Sequence, residues 1–282
     1  MNDLRAEIDK IDQQILDLLI ERSTVVRRIG DVKGDRLDGR SALRPAREAQ
    51  ILRRLAERAR GRFPTAVLVR IWRELLAAHT RLQAPLSVAV FARQEDVQRV
   101  WDLARDHFGS ATPMTRVDRP MQALRALGDG SATVAVLPLP GDDESWWASL
   151  MSDHDPRLRV FARLPFVATG GADGDEIRAL AVGQMDPEAS GADLTLLAIE
   201  AEPSLSRGRL RDLLLGAGLD PGWASAWRLP SPPQALHLVE VESFVGDGDG
   251  RIAELRKTAR GEVLRVVPVG GYPRPLRPDE NL

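Results

Sequence analysis

Residues 3–33 read DLRAEIDKIDQQILDLLIERSTVVRRIGDVK, and this stretch decides the architecture of the first 84 residues. Leu4, Ile8, Ile11, Ile15, Leu18, Val25, Ile29 and Val32 recur mostly three or four apart, the spacing of one face of an α-helix. No proline interrupts the run, and its first glycine is Gly30. The pattern predicts one continuous helix. At 1.5 Å per residue, roughly 30 residues span about 45 Å, too long to be covered by two shorter helices of the same chain. Two such helices follow. Gly34 and Gly39 open a polar loop, and Pro45 precedes a second apolar pattern of Ile51, Leu52, Leu55 and Ala59. Proline is well placed there, because its missing N–H costs nothing in a first turn. Gly61 and Pro64 break the chain again, and a third helix is expected from about Thr65 to Gln83, ending before Pro85.

From Leu86 the texture changes. Ser87–Phe91 (SVAVF) and Ala132–Leu139 (ATVAVLPL) read as buried strands, with helices over Glu95–Phe108 and Pro120–Gly128. Trp146–Met151 reads as a short helix and Arg157–Ala168 as strand-rich. This alternation implies a small α/β layer with parallel strands. From Asp193 the order is strand, helix, strand, strand, helix, strand, the ferredoxin-like βαββαβ unit. The chain is therefore expected to be multidomain. An all-α three-helix domain (1–84) is followed by a single α/β lobe (86–185), a ferredoxin-like domain (190–273) and a loose Pro-rich tail (274–282).

Composition narrows the chemistry. The chain has 282 residues, no cysteine and four scattered histidines, which argues against disulfides, a thiol nucleophile and a metal site. No apolar run reaches the roughly 18 residues of a membrane span, and no signal pattern opens the sequence, so a cytoplasmic protein is expected. The net charge of −2 hides an asymmetry: residues 1–84 hold 18 Lys and Arg against 12 Asp and Glu. A basic first segment suggests an anionic partner, either nucleic acid or a small polyanionic metabolite. Nucleic acid is disfavoured, because the basic residues include inward stripe positions and a phosphate-tracking surface needs outward clustering.

Those inward positions are informative. Stepping the stripe of the first helix forward brings Arg22 to a place where an apolar residue is expected, with Lys33 four residues after Ile29. In the third helix the stripe Leu68, Trp72, Leu75, His79, Leu82 turns His79 inward, with Gln83 four residues beyond. In the second, Glu48 shares the face of Ile51 and Leu52. One polar residue on a stripe is ordinarily a snorkelling or register-setting residue. Five on three facing helices make a different case, since buried charge is costly unless paired or used. Two cations, one acceptor and one neutral donor suit a small dianion carrying a hydroxyl group.

At these residues the sequence resembles the all-helical class of chorismate mutases. The matching positions are Leu4-Arg5, Ile8-Asp9, Asp12, Leu18-Leu19, Glu21-Arg22, Ile29-Gly30, Lys33, Pro45, Arg47-Glu48, Ile51-Leu52, Trp72-Arg73-Glu74-Leu75 and Gln83, covering about residues 3–83. The resemblance implies a helix-swapped homodimer that converts chorismate to prephenate without metal or cofactor. It implies that Arg5 comes from the partner chain, and that Arg22, Lys33, Arg47, Glu48, His79 and Gln83 act in cis. Arg5 and Arg22, with Arg47 and His79, would bind substrate. Lys33 and Gln83 would donate to the breaking ether oxygen, and Glu48 would accept from the ring hydroxyl. Arg44 stands where the family often has an acid, and His79 where it often has a small hydroxyl residue. A non-catalytic chorismate sensor is the alternative reading.

The order of the remaining segments is similar to that of the bifunctional chorismate mutase–prephenate dehydratases. The echoes are Ala132–Pro138 and Gly270-Gly271-Tyr272-Pro273. The expected Asn-Ser pair is replaced by Leu139-Pro140-Gly141-Asp142, and the Thr-Arg-Phe triplet by Ile177-Arg178-Ala179. Only one lobe fits in the available length, so no dehydratase activity is expected. The last segment resembles an ACT regulatory domain without its usual ligand motifs. The loops Gly170–Gly174 and Gly246–Gly250 are read as plain Gly/Asp turns.

Overall fold

A computed structural model describes residues 1–33, 42–142, 144–152, 156–168, 177–230 and 233–277. Three helices come first: α1 (Asn2–Lys33), α2 (Pro45–Ala59) and α3 (Thr65–Gln83). Pro45 occupies the first turn of α2, and Leu52 on the same helix is fully buried. α2 and α3 pack side by side, with Ala49, Leu52 and Val69 closing on Phe166 of the sheet unit. α1 behaves differently. Every residue from Met1 to Glu21 is exposed, and burial begins only at Arg22, Ser23, Val26 and Gly30, where α1 leans on α3. Its apolar stripe is left bare, with Leu4 61%, Ile8 57% and Leu18 64% exposed. The polar loop opened by Gly34 and Gly39 lies outside the described residues, as does the Gly170–Gly174 loop.

The rest of the chain is one nine-stranded mixed sheet rather than two separate layers. Its strands are β1 (Val88–Phe91), β2 (Met114–Val117), β3 (Val134–Pro138), β4 (Arg159–Leu164), β5 (Ala179–Gly183), β6 (Asp193–Ala201), β7 (Pro221–Pro230), β8 (Pro233–Val241) and β9 (Val263–Pro273), in spatial order β2-β1-β3-β5-β4-β9-β6-β8-β7. β1, β2 and β3 are parallel, but β5 enters antiparallel between β3 and β4, so the first lobe is not an all-parallel layer. The sequence reading missed β2 and β5. β2 is an edge strand whose Thr115 and Arg116 face solvent, so it has no apolar alternation. β5 is a five-residue apolar run just beyond the Gly-rich loop.

The helices that cover the sheet are α4 (Val97–Phe108), α5 (Pro120–Gly128), α6 (Arg207–Gly216) and α7 (Gly250–Thr258), with a short 3-10 helix at Trp146–Met151. Alternating strand residues sort onto two faces. Ala135, Leu137, Leu180, Val182, Leu196 and Leu238 share one face with α5 and Trp147. On the other face, Val88, Val134 and Ala181 meet α4, while Leu197, Ile199 and Val239 meet α6 and α7. β6, β8, β7 and β9, with α6 and α7 between them, run in the expected βαββαβ order with antiparallel pairing throughout.

The joint between the two halves of the sheet is narrow. β4 meets β9 in parallel at Val160 and Gly270. Gly270 has φ +134°, and a Cβ there would lie 2.2 Å from the Val160 carbonyl oxygen and 2.3 Å from its amide nitrogen. Both neighbours are backbone and cannot swing aside. Gly270→Ala should therefore destabilise the chain by about 3 kcal/mol or more, read as a lower urea midpoint. An unchanged midpoint would remove Gly270 as the cause of this close approach.

Beyond β9 the first tail residues are not loose: Leu276 N donates to Phe166 O (2.7 Å) and Ala168 N to Leu276 O (2.9 Å). Residues 278–282 lie outside the described part. In the Gly246–Gly250 turn, Asp247 accepts from Arg157 and Arg159, and Asp249 caps α7 and pairs with Arg251.

Candidate active site

α2 and α3 are fastened to the sheet unit by polar contacts. Arg53 of α2 donates to the carbonyls of Ser190 (3.3 Å), Ala192 (2.6 Å) and Arg274 (3.1 Å). Glu74 of α3 accepts from the Ser110 amide at 2.9 Å, and Arg81 donates to Ala111 O at 2.7 Å. Gly109 ends α4 at φ +86°, where a Cβ would come within 2.7 Å of the Ala77 side chain, so α4 and α3 meet almost backbone to side chain. α2 and α3 thus sit on a fixed base, and α1 leans on α3.

Where α1 meets α3, four of the sequence-derived positions fall at one end of the bundle. Ser23 Oγ donates to Leu19 O at 2.8 Å and lies 2.9 Å from His79 Nε2, from which it accepts when Nε2 carries the proton. Nδ1 lies 2.5 Å from Arg22 Nη1 and 2.6 Å from the Leu75 carbonyl oxygen: in the Nε2–H tautomer it accepts from Arg22, and in the Nδ1–H tautomer it donates to Leu75. The His79 pKa is held below the ordinary histidine value, first by burial and then by the Arg22 charge, with the Leu75 carbonyl opposing. His79 is therefore neutral at pH 7, and it aims a half-buried guanidinium. Burial also lowers the Arg22 pKa, though not enough to discharge an arginine. Gln83 lies one turn beyond His79, its Nε2 donating to His79 O at 3.3 Å. A Cβ on Gly30 would stand 3.4 Å from Gln83 Cγ, so α1 and the end of α3 are in contact there. Lys33 closes α1 just past this point; its side chain lies outside the described residues.

The remaining candidates are elsewhere. Arg5 is exposed on the bare part of α1, 17 residues before Arg22, which is about 25 Å along a helix. Arg47 is exposed on α2, and Arg44 is exposed and pairs with Glu188 at 3.0 Å. Glu48 is engaged on the seam facing the sheet: Arg73 Nη1 donates to its Oε2 at 2.7 Å, with the two side chains 6% and 13% exposed. Arg73 in turn stands over the Phe166 ring at 5.1 Å. In the sequence Arg73 is one of the positions that match the family, with no role attached. The usable signal was its place on a second stripe of α3, Val69, Arg73, Leu76 and Thr80, all buried. Ser23 was also missed; no apolar periodicity marks it.

A wider groove lies away from the helical bundle, between Asp142, Ser206, Arg207, Trp227 and His237. Arg207 closes on Asp142 at 2.8 Å there, and the Ala226 amide donates to the same carboxylate at 3.2 Å. This groove holds none of the candidate residues. Among the described residues no group of three or more His, Asp and Glu is placed to hold a metal, and no helix is long and apolar enough to cross a membrane.

Comparison with known proteins gives matches by sequence and by fold. Residues 4–84 match the family model for chorismate mutase type II. The chain is 29% identical over 147 residues to the bifunctional chorismate mutase/prephenate dehydratase of Pseudomonas aeruginosa, covering 50% of this chain and 39% of that protein. It is 36% identical over 93 residues to the Aquifex aeolicus protein of the same name, covering 32% of this chain and 25% of that one. The chain thus matches well under half the length of these curated relatives. A solved structure described as a novel type of quorum quenching acylase, GqqA, has a TM-score of 0.50 at 16% identity, over 66% of this chain and 94% of that one, a likeness of fold. The prephenate dehydratase of Streptococcus mutans aligns with a TM-score of 0.46 at 12% identity, over 68% of this chain and 99% of that one. The helical segment before the sheet, residues 4–84, is a chorismate mutase type II domain.

Proposed function

We propose that the chain catalyses the rearrangement of chorismate to prephenate in aromatic amino acid biosynthesis, as a cytoplasmic, helix-swapped homodimer. The observation that carries this reading is the division of α1. Its C-terminal half sets Arg22 against neutral His79 and beside Gln83, while its N-terminal half leaves an apolar stripe uncovered with Arg5 at the far end. A second copy of α1 laid antiparallel would cover that stripe and carry the partner's Arg5 toward Arg22.

The reaction is unimolecular and pericyclic, so no nucleophile is required. The site has two tasks. It must hold the enolpyruvyl arm folded over the ring, and it must stabilise the charge that builds on the breaking ether oxygen. Arg22 and the partner's arginine bind the two carboxylates, with Arg47 and His79 in support. Lys33 and Gln83 donate to the ether oxygen; Glu48, paired with Arg73 on the seam facing the sheet unit, is assigned the ring hydroxyl on the family resemblance alone. Lys33→Ala should lower kcat about a hundredfold with little change in KM, because its contact strengthens with transition-state charge. An effect confined to KM would remove Lys33 from that role.

The sheet unit is read as a shortened dehydratase-like lobe joined to an ACT-like unit, without dehydratase activity. Two features support this. The loop after β3 carries Leu139-Pro140-Gly141-Asp142, and its Asp142 is engaged by Arg207 and the Ala226 amide. The deciding experiment follows loss of chorismate absorbance at neutral pH without added metal, with acid treatment to reveal prephenate as phenylpyruvate. Prephenate accumulation is expected. Phenylpyruvate without acid would restore the dehydratase, and absence of turnover would leave a chorismate-binding protein.

A further inference from the structure

We infer that Ser23 is a positioning residue for Arg22: by accepting from His79 Nε2–H, it leaves Nδ1 without a proton to receive the Arg22 guanidinium. This rests on the mutase reading above, in which Arg22 binds a substrate carboxylate.

His79 is buried, and both of its ring nitrogens face side chains of α1. Nδ1 lies 2.5 Å from Arg22 Nη1, and Nε2 lies 2.9 Å from Ser23 Oγ. Two carbonyls complete the set. Leu75 O stands 2.6 Å from Nδ1, and Leu19 O accepts from Ser23 Oγ at 2.8 Å. Both carbonyls lie inside helices, where the amide four residues on already supplies a partner. The needs of the side chains therefore decide the arrangement.

A guanidinium is only ever a donor, and in a protein it keeps its charge. With the proton on Nε2, the bonds run in one direction: Arg22 to Nδ1, Nε2 to Ser23, Ser23 to Leu19 O. Each of these protons then has an acceptor. With the proton on Nδ1, that N–H turns to Leu75 O, and Arg22 Nη1 faces a second donor 2.5 Å away. Taking an acceptor from a half-buried charge costs more than giving up a bond to a carbonyl that is already paired. Ser23 completes the first arrangement, because a buried Nε2–H needs an acceptor and the Ser23 hydroxyl supplies it.

The position of this chain of bonds ties it to the site. Arg22 and Ser23 are where α1 first becomes half-buried. His79 and Gln83 are four apart, on one face of α3, with Gln83 Nε2 donating to His79 O at 3.3 Å. The ring nitrogen that holds Arg22 is thus one turn from the amide assigned to the ether oxygen. Ser23 touches no substrate in this scheme and acts only through His79.

The test joins a spectrum to kinetics on the full-length protein. Histidine nitrogens are isotopically labelled, and the His79 tautomer is read by NMR above neutrality, with His79→Gln identifying its signals. Wild type should carry the proton on Nε2. Ser23→Ala should move it to Nδ1, where Leu75 O accepts it, and lower kcat/KM about tenfold, the scale for stranding one buried donor. Ser23→Thr keeps the hydroxyl and should hold both the tautomer and kcat/KM, the latter within about threefold of wild type. Alanine is the better helix former at this half-buried position, so Ser23→Ala folds and its lost activity is not lost structure. His79→Gln and Ser23→Ala/His79→Gln should agree within about twofold, because no imidazole remains for Ser23 to hold. The inference is overturned if wild type carries the proton on Nδ1, or if Ser23→Ala keeps wild-type kcat/KM. It is overturned equally if Ser23→Ala loses activity with Nε2 still protonated, or if Ser23→Thr is as slow as Ser23→Ala. A wild-type chain without turnover overturns the mutase reading and the role of Ser23 with it. Turnover in the wild type with any of the other outcomes overturns this inference alone.

Discussion

Arg5→Ala and Arg22→Ala proteins, each inactive alone, should recover activity when mixed. The expectation follows from the geometry of α1. Arg5 and Arg22 lie on one helix about 25 Å apart, so no single chain can bring both to one substrate. If one site takes Arg22 from its own chain and Arg5 from the partner, a heterodimer holds one site with both arginines and one with neither. Random exchange makes half the dimers heterodimers, so about a quarter of all sites should be wild type. Each parent should lose about a hundredfold or more, the scale for removing one charged group that stabilises a transition state. Exchange needs dissociation, so the proteins are mixed in mild denaturant and returned to buffer before assay. The bare stripe of Leu4, Ile8, Ile11 and Ile15 supplies the reason for a partner, being far more apolar surface than an isolated helix normally exposes. Absence of recovery, with dimers confirmed by light scattering, would place both arginines in the same protomer's site or outside it.

The helical unit was legible in the sequence because its signals are local. A stripe of period 3.6 gives α1, Pro45 gives the start of α2, and Pro64 and Pro85 bracket α3, whose observed span is Thr65–Gln83. The inward turn of His79 and the approach of Gln83 followed from the same periodicity. Three things were not legible. β2 and β5 are short strands whose pairing is decided by neighbours far away in sequence, and β5 runs against the direction that alternation of strands and helices suggests. The fusion of the two β-rich units runs through the Val160–Gly270 pairing and a hydrophobic core shared across it, which no periodicity signals. The direction of Glu48 was hidden because α3 has two buried faces. Periodicity found the face toward α1, while the face bearing Arg73 is turned to the sheet unit. A charged residue on a second apolar stripe is a pairing signal only once its partner helix has been placed.

Activity should also fall on the acid side of neutrality, and His79 should set where. In its Nε2–H tautomer neutral His79 accepts from Arg22 through Nδ1 and donates to Ser23 through Nε2. Protonation turns Nδ1 into a donor. The Leu75 carbonyl, already 2.6 Å away, is then the acceptor Nδ1 keeps, and two cations face each other where Arg22 had been held. The folded pKa lies below the ordinary value, through burial first and the Arg22 charge second. The loss therefore begins below about pH 6.5 and steepens as pH falls through the lowered value; above pH 6.5 the profile should be flat. Stability shares the sign. The unfolded chain binds protons at His79 and His107 before the folded chain does, so their contribution is present above about pH 6.5 and declines as pH falls toward the folded values. The two effects separate by substitution. His79→Gln keeps an acceptor for Arg22 without a titrating group, so its kcat/KM should lose the acid limb, while the stability decline due to His107 remains. An acid limb that persists in His79→Gln would assign it to another group. A wild-type rate that collapses above pH 6.5 with the fold intact would contradict a site whose donor to the ether oxygen is the neutral amide of Gln83.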